Sequence, residues 1–446
     1  MRAIDTIKNI WKIEDLRKRI QTTLLLILIY RFGTYVVIPG VDPTALSVLQ
    51  DQTRGGLLAL LDMFSGGAFS QASIFALGIM PYISASIVMQ LMAIIVPAFQ
   101  KLQREGESGR KKINQWTRYL TVVILIFQGS AYLVNLNVQM RYAGTALPTN
   151  LWFNISSTLI LAGGSMFVLW LGERITDKGI GNGISFIIMV GIIARLPHAF
   201  FQEFISRMGE KTGGLVMFLF ESLALLFVIA GAIALVQGTR RVPVQYAKRI
   251  VGNKQYGGAR QYIPLKVNAA NVMPIIFAQA IMFIPISIAG FSNRGGGSAF
   301  WAAFMDNTGF WYNFVFALMI IAFTYFYTAV TINPTQMADD LKRNNGFIPG
   351  IKPGKATKDY LDEIMSRITL PGAFFLALVA IMPAFARLAG ISQEFSQFFG
   401  GTSLLILVGV VLDTLQQVES HLLMRHYDGL LKSGRIKGRS GTVAAY

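Results

Sequence analysis

The chain has 446 residues, 53% of them hydrophobic and 14% charged, and its mean hydropathy is +0.50. That composition excludes an ordinary soluble protein, and apolar runs of roughly 20 residues identify a membrane protein. There is no cysteine, which excludes disulfides and thiolate metal sites; the formal net charge of +17 points to loop topology, anionic lipids, or an RNA-rich or acidic partner.

Residues 1–19 carry Ile4, Ile7, Trp11 and Leu16 at helical spacing among basic side chains. This predicts an amphipathic helix on the cytosolic surface, and not a signal peptide, because no short apolar run with a cleavage site follows. Hydropathy then predicts ten spans, at 20–37, 73–96, 116–136, 153–172, 183–203, 214–236, 271–290, 310–334, 368–385 and 401–420. The fold is therefore all-α and polytopic.

The stretch before the second span organises the rest. Its apolar piece, 57–68, includes Leu57, Leu58, Leu60, Leu61, Met63 and Phe64. It is too short to cross ~30 Å of hydrocarbon, so it must sit inside protein or line a watery cavity. Ser65, Gly66 and Gly67 then break the chain before the span begins. Such a piece is a re-entrant half-helix, hinged as a movable stopper or simply packed.

Of the 40 Lys and Arg residues, 31 lie in 1–19, 97–115, 173–182, 237–270, 335–367 and 421–446, and six lie in the alternate loops. The positive-inside rule then places both termini in the cytosol. Arg31, Arg118 and Arg195 are left inside predicted spans. Ten spans divide as five plus five, and an odd-numbered repeat inserts its second copy upside down. The halves become 20–203 and 214–420, with an external hinge at 204–213 and a cytosolic tail at 421–446.

Two cytosolic loops are longer than connectors need to be. Residues 237–270 contain Arg240, Arg241, Lys248 and Arg249 and no acid; they serve topology and headgroups, or dock on an acidic surface or ribosomal RNA. Residues 335–367 contain Lys342, Arg343 and Lys352 around a rigid, turn-forming run from Gly346 to Gly354. This predicts a partner-docking finger with exposed apolar tips.

No phosphate loop, HExxH or nucleophile–base constellation is present, and the three histidines do not cluster with acids. The expectation is no catalytic residue, no metal and no cofactor. The run Gly179-Ile180-Gly181-Asn182-Gly183 predicts a helix cap between two spans. Glu221, about two turns from the external end of its span, is either a functional acid or a structural partner of a neighbour.

The runs Met63–Ala68, Ser73–Ile87, Glu105–Arg110, Gly179–Ser185, Tyr246–Arg249, Pro264–Asn268 and Gly400–Ile406 resemble those of bacterial SecY, in order and along the whole chain. The resemblance implies the central subunit of the SecYEG protein-conducting channel in the bacterial cytoplasmic (inner) membrane. It also implies a pore ring of Ile79, Ile83, Ile184, Ile188, Ile276 and Ile406. The pairs Ile79/Ile83 and Ile184/Ile188 are spaced i,i+4, so each pair faces one way. A narrow apolar collar repels water and ions when empty and offers a passing chain no hydrogen bonds.

The resemblance further implies that the half-helix, through Phe64, Ser65, Gly66 and Gly67, plugs the external side. A lateral gate would lie between spans two and three and spans seven and eight, with Ser84, Ser86, Gln90, Gln128 and Asn268 as its polar candidates. Implied partners are SecE and SecG subunits, the SecA motor ATPase, a ribosome, signal sequences, nascent polypeptides and anionic lipids. The chain departs from the family at Lys352, where an arginine is usual; lysine keeps the charge and loses the bidentate fork. The rival from another class is an inverted-repeat solute transporter, with a membrane-embedded hydrolase a distant third.

Overall fold

The computed structural model describes residues 13–42, 62, 64–142, 148, 150–209, 214–246, 249–251, 254–256, 260–270, 272–279, 281–282 and 309–432. Expectations for the amphipathic helix before residue 13, for Leu57, Leu58, Leu60, Leu61, Met63 and Lys248, for half of the seventh span, and for the tail past 432 lie outside them.

The elements run α1 (Glu14–Gly33), α2 (Met80–Ile95), α3 (Pro97–Arg104), α4 (Glu107–Tyr142), α5 (Leu151–Lys178), α6 (Gly183–Gly209) and α7 (Gly214–Gln237). Four short strands follow: β1 (Thr239–Tyr246), β2 (Arg249–Val251), β3 (Lys254–Tyr256) and β4 (Arg260–Lys266). Helical turns cover 273–279. Then come α8 (Phe310–Thr331), α9 (Pro334–Arg343), β5 (Gly346–Phe347), α10 (Lys355–Leu388), α11 (Gln393–Ser396) and α12 (Gly401–Lys432). Among the described residues, seven helices are long and apolar enough to cross a membrane.

Helices α1, α2, α4 and α5 pack with one another and with α6, while α7, α8, α10 and α12 form a second group; α6 touches both through α7 and α12. Each group has its own apolar core. Leu161, Tyr132, Leu133 and Ile38 belong to one, and Ile275, Ile320, Leu376 and Leu405 to the other. The unit of β1, β4, β5 and α9 carries exposed Arg240, Arg241, Lys342 and Arg343 and forms a basic face.

The second span departs from expectation. Its helix begins at Met80, not at Ser73, and residues 65–79 are a chain of turns. Pro81 explains the late start, because proline fits the first turn of a helix, where no N–H partner is needed. Positive φ at Gly66, Gly67, Ala72 and Gly78 explains why no helix forms earlier. Backbone groups in such a segment need partners, and they have them. Ile38 N–H donates to Ala72 O at 2.9 Å and Ile74 N–H to Val36 O at 2.9 Å, while Tyr132 Oη donates to Phe69 O at 2.9 Å.

The helix ends again at Ile95, and Pro97 turns the chain by 101° into the amphipathic α3. Helix α1 likewise stops at Gly33, short of the predicted end at 37. By contrast α4, α10 and α12 have 36, 34 and 32 residues, well beyond the ~20 a bilayer needs, so they reach past the apolar layer.

The two long basic loops are one body, not two. β1 pairs antiparallel with β4, placing Val242 opposite Ile263, and its far end pairs with β5 through Gln245 and Phe347. Val242, Val244, Leu265, Leu341, Ile348, Leu361 and Met365 close a small core beneath this sheet. The finger's expected exposed tips are corrected in part: Ile348 is 2% exposed and packs inward, while Phe347, Pro349 and Pro353 stay exposed.

Candidate functional site

Helices α2, α6 and α12 contribute to two adjoining apolar clusters in which isoleucines are prominent. Ile79, Ile83, Ile184 and Ile187 pack with Tyr30, Val168 and Leu171 in one apolar cluster. Ile188 and Ile406 pack with Phe64, Ile192 and Val410 in a second, which Ile83 and Ile184 also touch. Five of the six expected ring residues therefore meet across the two helix groups. Ile276 is half-buried and belongs to neither cluster. Val272, one turn earlier, is the residue of that element that reaches the second cluster.

The segment carrying Phe64 is held down by hydrogen bonds. Tyr30 Oη donates to Ser65 O at 3.1 Å, and Arg31 Nη1 donates to Gly66 O at 2.9 Å. Asp62 accepts Ser70 N–H at 2.8 Å and forms an ion pair with Arg195 on α6. Gly66 is needed for contact: a Cβ there would lie 2.9 Å from the Gly191 backbone, and its φ is +67°. Beside this latch lies a polar cavity of about 280 Å³, lined by Arg31, Asp62, Arg195, His198 and Glu394 among others.

The expected gate is brought together in part. Gln90 Nε2 lies 3.4 Å from Ser86 Oγ, and Tyr327 Oη of α8 donates to Gln90 Oε1 at 3.5 Å. Phe277 stacks on Phe323 with ring centroids 5.7 Å apart and leans on Tyr327 at 6.3 Å. Ser84 turns back to Met80 O within its own helix, and Gln128 is exposed on α4. Asn268 is buried, and its Oδ1 has no hydrogen-bond partner among the described residues.

The family model described as SecY matches residues 73–415. A protein translocase subunit SecY from Streptomyces scabiei is 43% identical over 436 residues, covering 95% of this chain and 98% of that one. The chain belongs to the SecY family. In fold it resembles a solved structure of a protein conducting channel, with a TM-score of 0.62 at 16% identity and 95% coverage of both chains. It also resembles the idle yeast Ssh1 complex bound to the yeast 80S ribosome, with a TM-score of 0.58 at 15% identity over 96% and 92% of the two chains.

On the basic face of this SecY-family chain, Arg240, Arg241, Lys342, Arg343 and Lys352 are all exposed. The sheet sets Arg240 and Arg241 on β1, and α9 ends with Lys342 and Arg343, where the helix dipole favours cations. Thr357 Oγ1 donates to Lys352 O at 2.9 Å and ties the finger to the start of α10. Arg249 lies on β2, whose backbone pairs with β3. The Gly179–Gly183 run caps α6, with Asn182 Oδ1 accepting Ile184 N–H at 3.2 Å.

Sequence reasoning overlooked the arginines inside spans as site residues. Arg31 and Arg195 hold the Phe64 segment, and Arg118 donates to Glu173 at 2.7 Å between α4 and α5. Their signal was present, since a cation at membrane depth needs a partner. Glu221 is likewise a partner: Arg207 Nη2 donates to its Oε1 at 2.7 Å.

Proposed function

We propose that this chain is the channel-forming subunit of a protein translocase in a bacterial cytoplasmic membrane, with both termini and the basic face in the cytosol. It spans the bilayer ten times and has no catalytic chemistry of its own. Unfolded secretory chains pass outward through the isoleucine constriction, and apolar segments leave sideways between α2 and α8.

The observation that carries this reading is the seam itself. The two helix groups meet on branched aliphatic side chains from α2, α6 and α12, with Phe64 seated against them. An apolar constriction dewets when empty and grips no particular sequence. The external half-helix 57–68 is the plug, and the latch on Asp62, Ser65 and Gly66 holds the resting state. A solute transporter needs polar groups at the middle of its path, and the middle here is isoleucine.

Energy comes from outside the chain, through a SecA-type ATPase or a translating ribosome docked on the basic unit of β1, β4, β5 and α9. The ribosome-bound fold relative supports the latter. SecE-like and SecG-like subunits complete the assembly around the two halves, and anionic headgroups meet the basic face.

The chain lacks cysteine, so a single cysteine at Ile83 can be tested against a secretory chain arrested part-way with its own cysteine. A disulfide that tracks the inserted length places the polypeptide in the constriction. If no inserted length reacts beyond a lipid-facing control, the ring assignment is wrong.

A further inference from the structure

We propose that the run Gly179–Gly183 is a clasp that closes the seam between the two helix groups at the cytosolic end of α6, with Gln417 of α12 as the positioning residue that fastens it. The inference rests on the reading of the chain as a channel that opens between its halves.

The run belongs firmly to the first group. Arg19 Nη1 of α1 donates to Gly179 O at 3.3 Å, and Ile180 N–H donates to Thr23 Oγ1 of α1 at 3.2 Å. Gly183 N–H donates to Thr176 Oγ1 of α5 at 2.9 Å. A Cβ at Gly179 would collide with Thr23, and one at Gly183 with the Gly172 carbonyl. Glycine is what lets this backbone lie directly against α1 and α5.

Toward the second group the run has far less to hold it. Among the described residues, one hydrogen bond joins it to α12, from Gly181 N–H to Gln417 Oε1 at 2.8 Å. Gly181 is buried and Gln417 is exposed. Both partners are neutral, so water can replace either one when α12 draws back. The rest of what α6 shares with α12 is apolar, with Ile188 and Ile192 in one cluster with Ile406 and Val410. Apolar contacts can slide without stranding a polar group.

The outer end of α6 is held differently. Arg207 donates to Glu203 at 3.0 Å, to Glu221 of α7 at 2.7 Å and to Gly390 O at 2.7 Å. Glu203 Oε2 in turn accepts Ser392 N–H at 3.1 Å, and both glutamates are 2% exposed. Parting these groups would strand buried charge, which costs far more than losing one neutral hydrogen bond. The seam therefore stays shut beside the connection between α6 and α7 and gives way first at Gly181. Helix α6 rises roughly 36 Å from Gly183 to Arg207. A relative tilt of α6 and α12 by ~5° about the outer end shifts the clasp by about 3 Å, enough to break its hydrogen bond.

The absence of cysteine allows the clasp to be locked. A Cβ at Gly181 would lie 3.2 Å from Thr414 Oγ1, within reach of a disulfide between Gly181→Cys and Thr414→Cys. Gly181 has a φ of +82°, so the cysteine carries strain in both redox states, and the reduced double variant is the reference. In the assembled translocase, oxidation is expected to stop export of a secretory chain and a reductant to restore it. Equal export from the oxidised and reduced forms overturns the proposal. A substrate crosslink at a cysteine replacing Ile83, in an otherwise cysteine-free chain, reports the channel reading separately; if that crosslink forms while the lock has no effect, the clasp is wrong and the channel stands. A second pair of variants leaves the glycine intact. Gln417→Leu removes the acceptor and should raise export of a weak-signal reporter roughly two- to tenfold, the weight of one neutral hydrogen bond. Gln417→Glu keeps an acceptor and should stay near the parent. A Leu variant that matches the parent, or a Glu variant that gains as much as Leu, would refute the clasp.

Discussion

Arg195 and Asp62 form an ion pair between the middle of α6 and the segment proposed as the plug, and the Asp62 carboxylate is almost wholly removed from solvent. The same aspartate also accepts Ser70 N–H, so one side chain fixes both the turn that ends the plug and its attachment to α6. Hydrogen bonds to charged groups contribute about 1.5–3 kcal/mol, enough for a roughly ten- to hundredfold change in how often the plug leaves. We predict that Arg195→Ala and Asp62→Asn each raise the ion conductance of the resting channel, and that the double variant leaks little more than either alone. Additive leaks in the double-mutant cycle would show that the two residues act independently.

The constriction makes a sharper prediction because its six expected members are not equivalent. Ile188 and Ile406 lie in the cluster that touches Phe64, whereas Ile276 lies in neither central cluster. An asparagine in the dry seam brings a polar group that recruits water, while leucine keeps it apolar. Ile188→Asn and Ile406→Asn are therefore expected to raise resting conductance well above Ile276→Asn, with the leucine variants near the parent. Equal leaks from all three asparagine variants would restore Ile276 to the ring.

Much of this was legible in the chain before any coordinates. Spans, basic loops and the isoleucine spacing are local or periodic properties, and they survive folding. What was illegible depends on distant partners. Residues 65–79 are as apolar as a helix, and only positive φ at Gly66, Gly67, Ala72 and Gly78, supported by Tyr30, Tyr132 and residues 36–38, makes them turns. Glu221 could not be assigned because its partner, Arg207, lies on the preceding helix beyond a loop. The docking loops were read apart because β1 and β5 are about a hundred residues distant in sequence and meet only through tertiary pairing.

That pairing leads to a prediction about the cytosolic unit. Val244 and Ile348 are 1% and 2% exposed in the core beneath β1, whereas Arg240 is exposed. Truncating a buried aliphatic side chain such as Ile348→Ala costs about 2–5 kcal/mol, comparable with the stability of so small a core. Ile348→Ala and Val244→Ala should open 239–266 to protease and abolish the docking proposed for a motor or ribosome. Arg240→Ala should leave the unit resistant and weaken docking in a salt-dependent way. A protease-resistant Ile348→Ala variant would mean that the loops fold independently of each other.

The proposed lateral gate is the place where weakness is useful. Tyr327 and Gln90 join α8 to α2 through a bond of 3.5 Å, near the limit of a hydrogen bond, and interhelical bonds in membranes contribute about 0.6–2 kcal/mol. An entering apolar helix must displace this contact, so the bond sets a threshold on how apolar a signal segment has to be. Removing the hydroxyl in Tyr327→Phe keeps the ring against Phe277 and lowers only the threshold. We predict that Tyr327→Phe and Gln90→Leu let weakened signal sequences export several-fold better, with little change for strong ones. The comparison is made with a graded series of signal segments in one reporter. Should strong and weak signals gain equally, the variants act on plug or ring and not on the gate; should neither gain, the contact carries none of the threshold.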